Sequence, residues 1–241
     1  MAQEPVPGAT VAAEIAKHLD EEYVPYVLWG WVALGFFGLS RGYPEADFVI
    51  PDDEIEAAKL TIIEAGYHMC TYSKCVHLKE ERCDNDLFYE KYRGPHNGYH
   101  PVAEAHFHVR GTLVSLLLKS KILFWLPDWK HNNHRNDHLN PPAPTHPSLT
   151  LSTDRRLPPF YAIYSDRPGA DEAPESYGPT GPWTHLYPMR ILTHSGFAES
   201  LIYLYARDMA PDSNPDGNMT SLWGAMWESM AAFVWAGFAI I

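Results

Sequence analysis

The sequence predicts an α/β (α+β) protein, a mixed sheet flanked by helices, followed by a Pro-rich irregular segment and C-terminal helices. Three observations predict it. Strand-like and helix-periodic runs alternate through the first half, most of the 21 prolines fall within residues 127–188, and helical spacing returns after residue 194. With 241 residues and 46% hydrophobic content, the chain can bury a full core as a single domain over 1–241. Within it, 1–126 form the α/β core, 127–188 the Pro-rich loop segment and 189–241 the C-terminal helices.

Residues 10–22 have amphipathic helical spacing, with Val11, Ile15 and Leu19 on one side and Thr10 as the candidate cap. Residues 27–39 are almost wholly apolar, long enough for a buried helix or a strand–helix element and short of a membrane span. A strand is predicted at 46–50 and a helix at about 53–65, ended by Gly66 as C′ residue. Residues 67–79 read as a hairpin around Ser73 and Lys74, and residues 106–110 with 113–118 as a second hairpin around Arg110, Gly111 and Thr112. Proline excludes long regular elements from 127–188. Residues 195–208, with Phe197, Leu201, Leu204 and Tyr205, and residues 219–236, with Trp223, Met226, Trp227 and Met230, read as helices with core-facing stripes. The apolar run 229–241 has 13 residues where a bilayer span needs roughly 20, so it is expected to pack as a terminal helix.

Net charge is −12 with His neutral, which argues against a general DNA or RNA binder, because phosphate contacts need clustered Lys and Arg. One local exception is Lys119, Lys121, Lys130 and Arg135, with Asp128 the only acid from 119 through 135. Those four are either a basic surface for nucleic acid or ordinary solvated charge. Cys70, Cys75 and Cys83 lack a metal-type CxxC spacing and read as reduced thiols. Residues 1–10 carry no basic region followed by an apolar one, so a cytoplasmic protein without a secretory signal is expected.

The most informative stretch is DDEIE at residues 52–56. Projected at about 100° per residue, Asp52, Asp53 and Glu56 share a flank of the first helical turn, opposite the apolar stripe of Ile55, Ala58, Ile62 and Ala65. Leu60 and Ile63 continue the acidic side, so protein is expected to cover it and leave the acids facing a partly enclosed space. Two readings stay open. Acids are favoured at helix starts, and Asp53 as N-cap with Glu56 three residues on resembles a capping box. Alternatively, the three carboxylates grip a cation or move protons.

VLWGWVAL at residues 27–34 followed by EADFVI at 45–50 resembles the opening of the nucleotidyltransferase fold, in which a small-residue turn precedes two acids one residue apart on a strand. That resemblance implies a nucleotidyltransferase-like mixed sheet with Glu45 and Asp47 on one strand face, the arrangement that holds magnesium for phosphoryl transfer. The chain departs from the pattern at Trp29 and Trp31, which stand where the turn is usually small. A catalytically inactive binding module on the same fold is the reading those two rings favour.

The DDxxE motif at Asp52, Asp53 and Glu56, with AHFHV at 105–109, LFWLPD at 123–128 and STDRRLPP at 152–159, is similar to the fungal arginine-containing cyclodipeptide synthases. The resemblance implies condensation of arginyl-tRNA with a second aminoacyl-tRNA into a cyclic dipeptide of secondary metabolism, with no cofactor and no metal at the chemical step. Paired carboxylates suit a guanidinium, whose planar fork they bind bidentately. Asp52 or Asp53 would then hold the guanidinium and Glu56 the attacking amine or the orientation of its partner, with Lys119, Lys121, Lys130 and Arg135 as the tRNA surface. No membrane or DNA partner is expected.

His106 and His108, two apart on a predicted strand, point to one side and are candidate bases near the acids, or core histidines bonded to carbonyls. His131, His134 and His138 have metal-ligand spacing on a helix, but they precede Pro141 and Pro142, where a helix is disfavoured. Were a covalent aminoacyl intermediate to form, Ser40, Ser115 and Cys75 are the candidate nucleophiles.

Overall fold

The computed structural model describes residues 8–37, 45–71, 103–127, 129, 144, 146–154, 185–208 and 226. Its centre is a six-stranded mixed sheet in the order β3-β4-β2-β1-β6-β5, flanked by helices. The strands are β1 (Val27–Trp29), β2 (Glu45–Ile50), β3 (Ala105–Val109), β4 (Thr112–Leu118), β5 (Leu149–Leu151) and β6 (Arg190–Leu192). The helices are α1 (Ala9–Glu21), α2 (Gly30–Phe36), α3 (Ile55–Glu64), α4 (Lys119–Ile122) and α5 (His194–Asp208).

The middle of the sheet is buried on both faces, which is why β2 and β4 read as near-continuous apolar runs. These two strands run parallel, with Asp47 opposite Ser115 and Ile50 opposite Leu118. Beside β4, β3 turns back antiparallel through Arg110 and Gly111, both at positive φ, as a two-residue hairpin turn of the twist-matched kind requires. On the other side, β1 is antiparallel to β2 and parallel to β6, and β5 closes the edge.

α1 and α3 pack together and against the strands. Val11, Ile15 and Leu19 are buried as their spacing predicts. Gly8, with φ 86°, occupies the N-cap in place of the expected Thr10. At the end of α3, Gly66 (φ 91°) gives its N–H to Ile63 and Tyr67 gives its N–H to Ile62, the paired bonds that close a helix over a left-handed glycine. In α5, Phe197, Leu201 and Leu204 are buried, Phe197 stacks on Trp29 at 5.5 Å between ring centroids, and Tyr205 faces solvent rather than the core.

Two strands escape the sequence reading. β5 arises inside the Pro-rich segment and β6 just after it, so the sheet draws on all three stretches of the chain and is not confined to residues 1–126. Residues 67–71 form an isolated bridge, Met69 with Phe107, in place of a strand. The rest of that expected hairpin, from residue 72 on, lies outside the described residues, as do the run 229–241 and all of the expected helix 219–236 except the buried Met226. Among the described residues, no helix is long and apolar enough to cross a membrane.

Candidate functional site

The residues singled out above divide between two ends of the sheet. At one end, register and alternation put Trp29, Asp47, Ser115 and His106 in a single row on one face, with Glu45, Leu113 and His108 in the next. Asp47, Ser115 and His106 are buried, Glu45 is half-buried and His108 is exposed. Gly30, at the start of α2, has φ +75°, and a Cβ there would stand 2.5 Å from Oδ2 of Asp47. Glycine is therefore needed twice over, for its backbone angle and for the closeness of the carboxylate.

Burial sets the protonation of this end. It pushes the Glu45 carboxyl up to about 7, into the range of a general base at neutral pH. It holds the His106 imidazole down to about 4, helped by His108, whose ring centroid is 5.1 Å away. His106 is accordingly neutral at physiological pH.

At the other end lie the DDxxE acids. Asp52 follows the last residue of β2, five residues and about 16 Å along from Asp47 at a strand rise of roughly 3.3 Å. Its Oδ1 accepts the backbone N–H of Ser120 at 3.0 Å, so it caps α4, whose own N-cap Leu118 has no capping side chain. Residues 52–54 form a 3-10 turn, Glu54 rather than Asp53 is the N-cap of α3, and no side-chain cap bond is made there. The expected capping box, with Asp53 as N-cap, is therefore not what opens α3. Glu56 instead receives Lys59 at 2.7 Å, one helical turn on.

Asp52, Asp53 and Glu56 are all exposed. Among the described residues the enclosure expected around them is not formed, since Leu60 and Ile63 are 58% and 42% exposed. Lys119 and Lys121 do come to the same sheet end, because β4 ends beside β2. Lys119 lies 5.6 Å from the Trp129 ring centre, Lys121 pairs with Glu104 at 2.9 Å, and Arg207 of α5 donates to the Lys121 carbonyl. Arg207 is a basic residue that sequence spacing had no means to put there.

No family model, curated protein or solved structure matches this chain.

His106 and His108 share sheet rows with Asp47 and Glu45, with β4 between them, and are not beside the DDxxE acids as expected. Ser115, named only as one of three candidate nucleophiles, stands between Asp47 and His106 in register. Lys130, Arg135, His131, His134, His138, Ser40 and Cys75 lie outside the described residues. Cys70, read above as a reduced thiol and not as a site residue, is a free cysteine whose N–H donates to the His106 carbonyl at 2.9 Å.

The raised Glu45 pKa has a measurable consequence. A carboxyl at about 7 in the folded chain and 4.5 unfolded stabilises the fold fully below pH 4.5 and loses that contribution as pH rises through 7. His194, lowered to about 4 by burial against Phe37, acts oppositely: its contribution is full above pH 6.5 and is lost as pH falls through 4. Glu45→Gln, uncharged throughout, is expected to be more stable than the unmutated chain by roughly 1–3 kcal/mol at pH 8 and by almost nothing at pH 4.5. Urea unfolding at the two pH values checks it; equal gains at both would mean that Glu45 does not titrate in this range.

Proposed function

We propose that this chain is a tRNA-dependent cyclodipeptide synthase that condenses arginyl-tRNA with a second aminoacyl-tRNA into a cyclo(Arg-Xaa) diketopiperazine in the cytoplasm. The observation that carries the reading is the bond of Asp52, first of the DDxxE acids, to the backbone of Ser120 between Lys119 and Lys121, with Arg207 bonded to the Lys121 carbonyl beside it. Carboxylates there suit a guanidinium, and the cations beside them suit a phosphate backbone that the rest of this acidic chain would repel. An exposed edge is also open to a partner as large as tRNA.

The chemistry asks little of the protein. The α-amine of one aminoacyl group attacks the ester carbonyl of the other, forming a peptide bond and releasing the tRNA hydroxyl. The remaining α-amine then attacks the second ester, closing the ring and releasing the hydroxyl of the second tRNA. Both esters are already activated, so positioning and removal of a proton from the amine are the protein's tasks. In this reading Asp53, with Asp52, holds the guanidinium and Glu56 serves the amine.

Asp53→Ala is the informative variant, since Asp52 also holds the α4 backbone. At an exposed position the change is expected to cost less than about 1 kcal/mol of stability while abolishing product. Mass spectrometry of bacterial cultures expressing each chain reads the outcome. A cyclic dipeptide of arginine made only by the unmutated protein supports the reading and names the second residue; no product from folded protein, or equal product from both, overturns it.

A second reading, a metal-dependent nucleotidyltransferase using Glu45 and Asp47, is favoured by the close approach of Gly30 to Asp47. It requires magnesium and a nucleoside triphosphate, neither of which cyclodipeptide formation from charged tRNA consumes.

A further inference from the structure

We propose that Cys70, His106 and His108 form a zinc site with one coordination position open to solvent. Their ligand atoms all lie within 4.8 Å of one another. Ligands at 2.0–2.3 Å from a tetrahedral zinc are about 3.3–3.7 Å apart, so closing the set asks for shifts of roughly 1 Å, within the reach of side-chain rotation.

The backbone prepares the cluster. Strand alternation puts His106 and His108 on one face of β3. After α3 closes over Gly66, the chain runs back along the outer edge of β3, where Met69 bridges Phe107 and the Cys70 N–H bonds the His106 carbonyl. That register sets Cys70 opposite His106, on the same face as both imidazoles. Three elements of chain far apart in sequence order are not needed; one edge contact completes the set.

The donor types and their surroundings choose the metal. One thiolate with two imidazoles suits zinc or copper, and three protein ligands with a fourth place left for water is the usual composition of an open zinc site. Copper sites with these donors add a thioether and exclude water. Among the described residues, Met69 alternates to the opposite face with Phe107, and His108 is exposed, so water is the ligand at hand there for the fourth place. The inference does not depend on the DDxxE reading, which concerns the other end of the sheet.

The test uses the full chain, stripped with a chelator and titrated with cobalt(II), which reports thiolate ligation by its sulfur-to-metal charge-transfer absorption and tetrahedral geometry by its visible bands. One equivalent of cobalt is expected to develop both, and zinc to displace it. Cys70→Ser is expected to lose the charge-transfer absorption, and His108→Ala, exposed and so expected to fold normally, to bind at least about tenfold more weakly. Absence of the bands in folded protein, their persistence in Cys70→Ser through Cys75 or Cys83, or unchanged affinity in His108→Ala would each overturn the site. Should Cys70→Ser fail to fold, the His108→Ala affinity decides.

Discussion

Arg190→Met is expected to cost about 3–5 kcal/mol of folding stability, a large part of the 5–15 kcal/mol that holds a typical domain together. Arg190 and Asp20 are 4% and 3% exposed, and their side chains pair directly, tying β6 to α1. Both hydroxyls of Tyr26 and Tyr187 donate to Asp20 Oδ2 at 3.0 Å, and the guanidinium lies over the Tyr26 ring, 4.7 Å from its centre. Burial holds the Asp20 carboxyl above the usual carboxylate range in spite of these partners. Removing the cation leaves that carboxyl with less to offset its desolvation, and it protonates. Asp20→Asn is expected to lose a similar amount, by stranding the guanidinium, while the double variant loses less than the sum of the two. Urea unfolding of the three chains measures the coupling. A loss under about 1 kcal/mol in either single variant would show that the pair is open to water.

This pair shows where the sequence stops being legible. Arg190 sits in a three-residue strand next to a Pro-rich stretch, and a period of two is not measurable over three residues. Nothing near Arg190 in sequence points to Asp20, 170 residues earlier. By contrast α1, β2, the β3–β4 hairpin and α5 were legible because each runs long enough to repeat its period or carries its own turn chemistry. The run 27–37 was legible as buried, since nothing polar interrupts it.

The candidate site was legible in composition and not in arrangement. Projection at 100° per residue put Asp52, Asp53 and Glu56 on one flank, but residues 52–54 turn as a 3-10 helix with about three residues per turn. Asp52 bonds Ser120, a partner distant in sequence, while Glu56 pairs within α3 with Lys59. The Asp52–Ser120 bond depends on where the chain after β4 comes to lie, which the local sequence around residue 52 does not contain. The row of Asp47, Ser115 and His106 depends on register between three strands, and so does the contact of Cys70 with His106. Residue types at each position were visible, but their pairing is a tertiary fact.

Gly30→Ala separates the two ends of the sheet experimentally. A left-handed backbone costs an alanine roughly 1–2 kcal/mol, and the Cβ placed 2.5 Å from Asp47 Oδ2 forces a buried carboxylate to move, adding about 1–3 kcal/mol. A total loss of roughly 2–5 kcal/mol is expected. In an Asp47→Ala background the second part should vanish, since the remaining Asp47 Cβ would be 3.6 Å away, an ordinary contact, and the cost of Gly30→Ala should fall to its backbone part. Denaturant unfolding of the four chains tests this, and a cost unchanged by Asp47→Ala would mean that the close approach is relieved some other way. The same variants bear on function. If Glu45 and Asp47 hold a catalytic metal, displacing the Asp47 carboxylate stops turnover at temperatures where the protein is still folded. If the DDxxE end does the chemistry about 16 Å away, cyclic dipeptide formation survives for as long as the fold does.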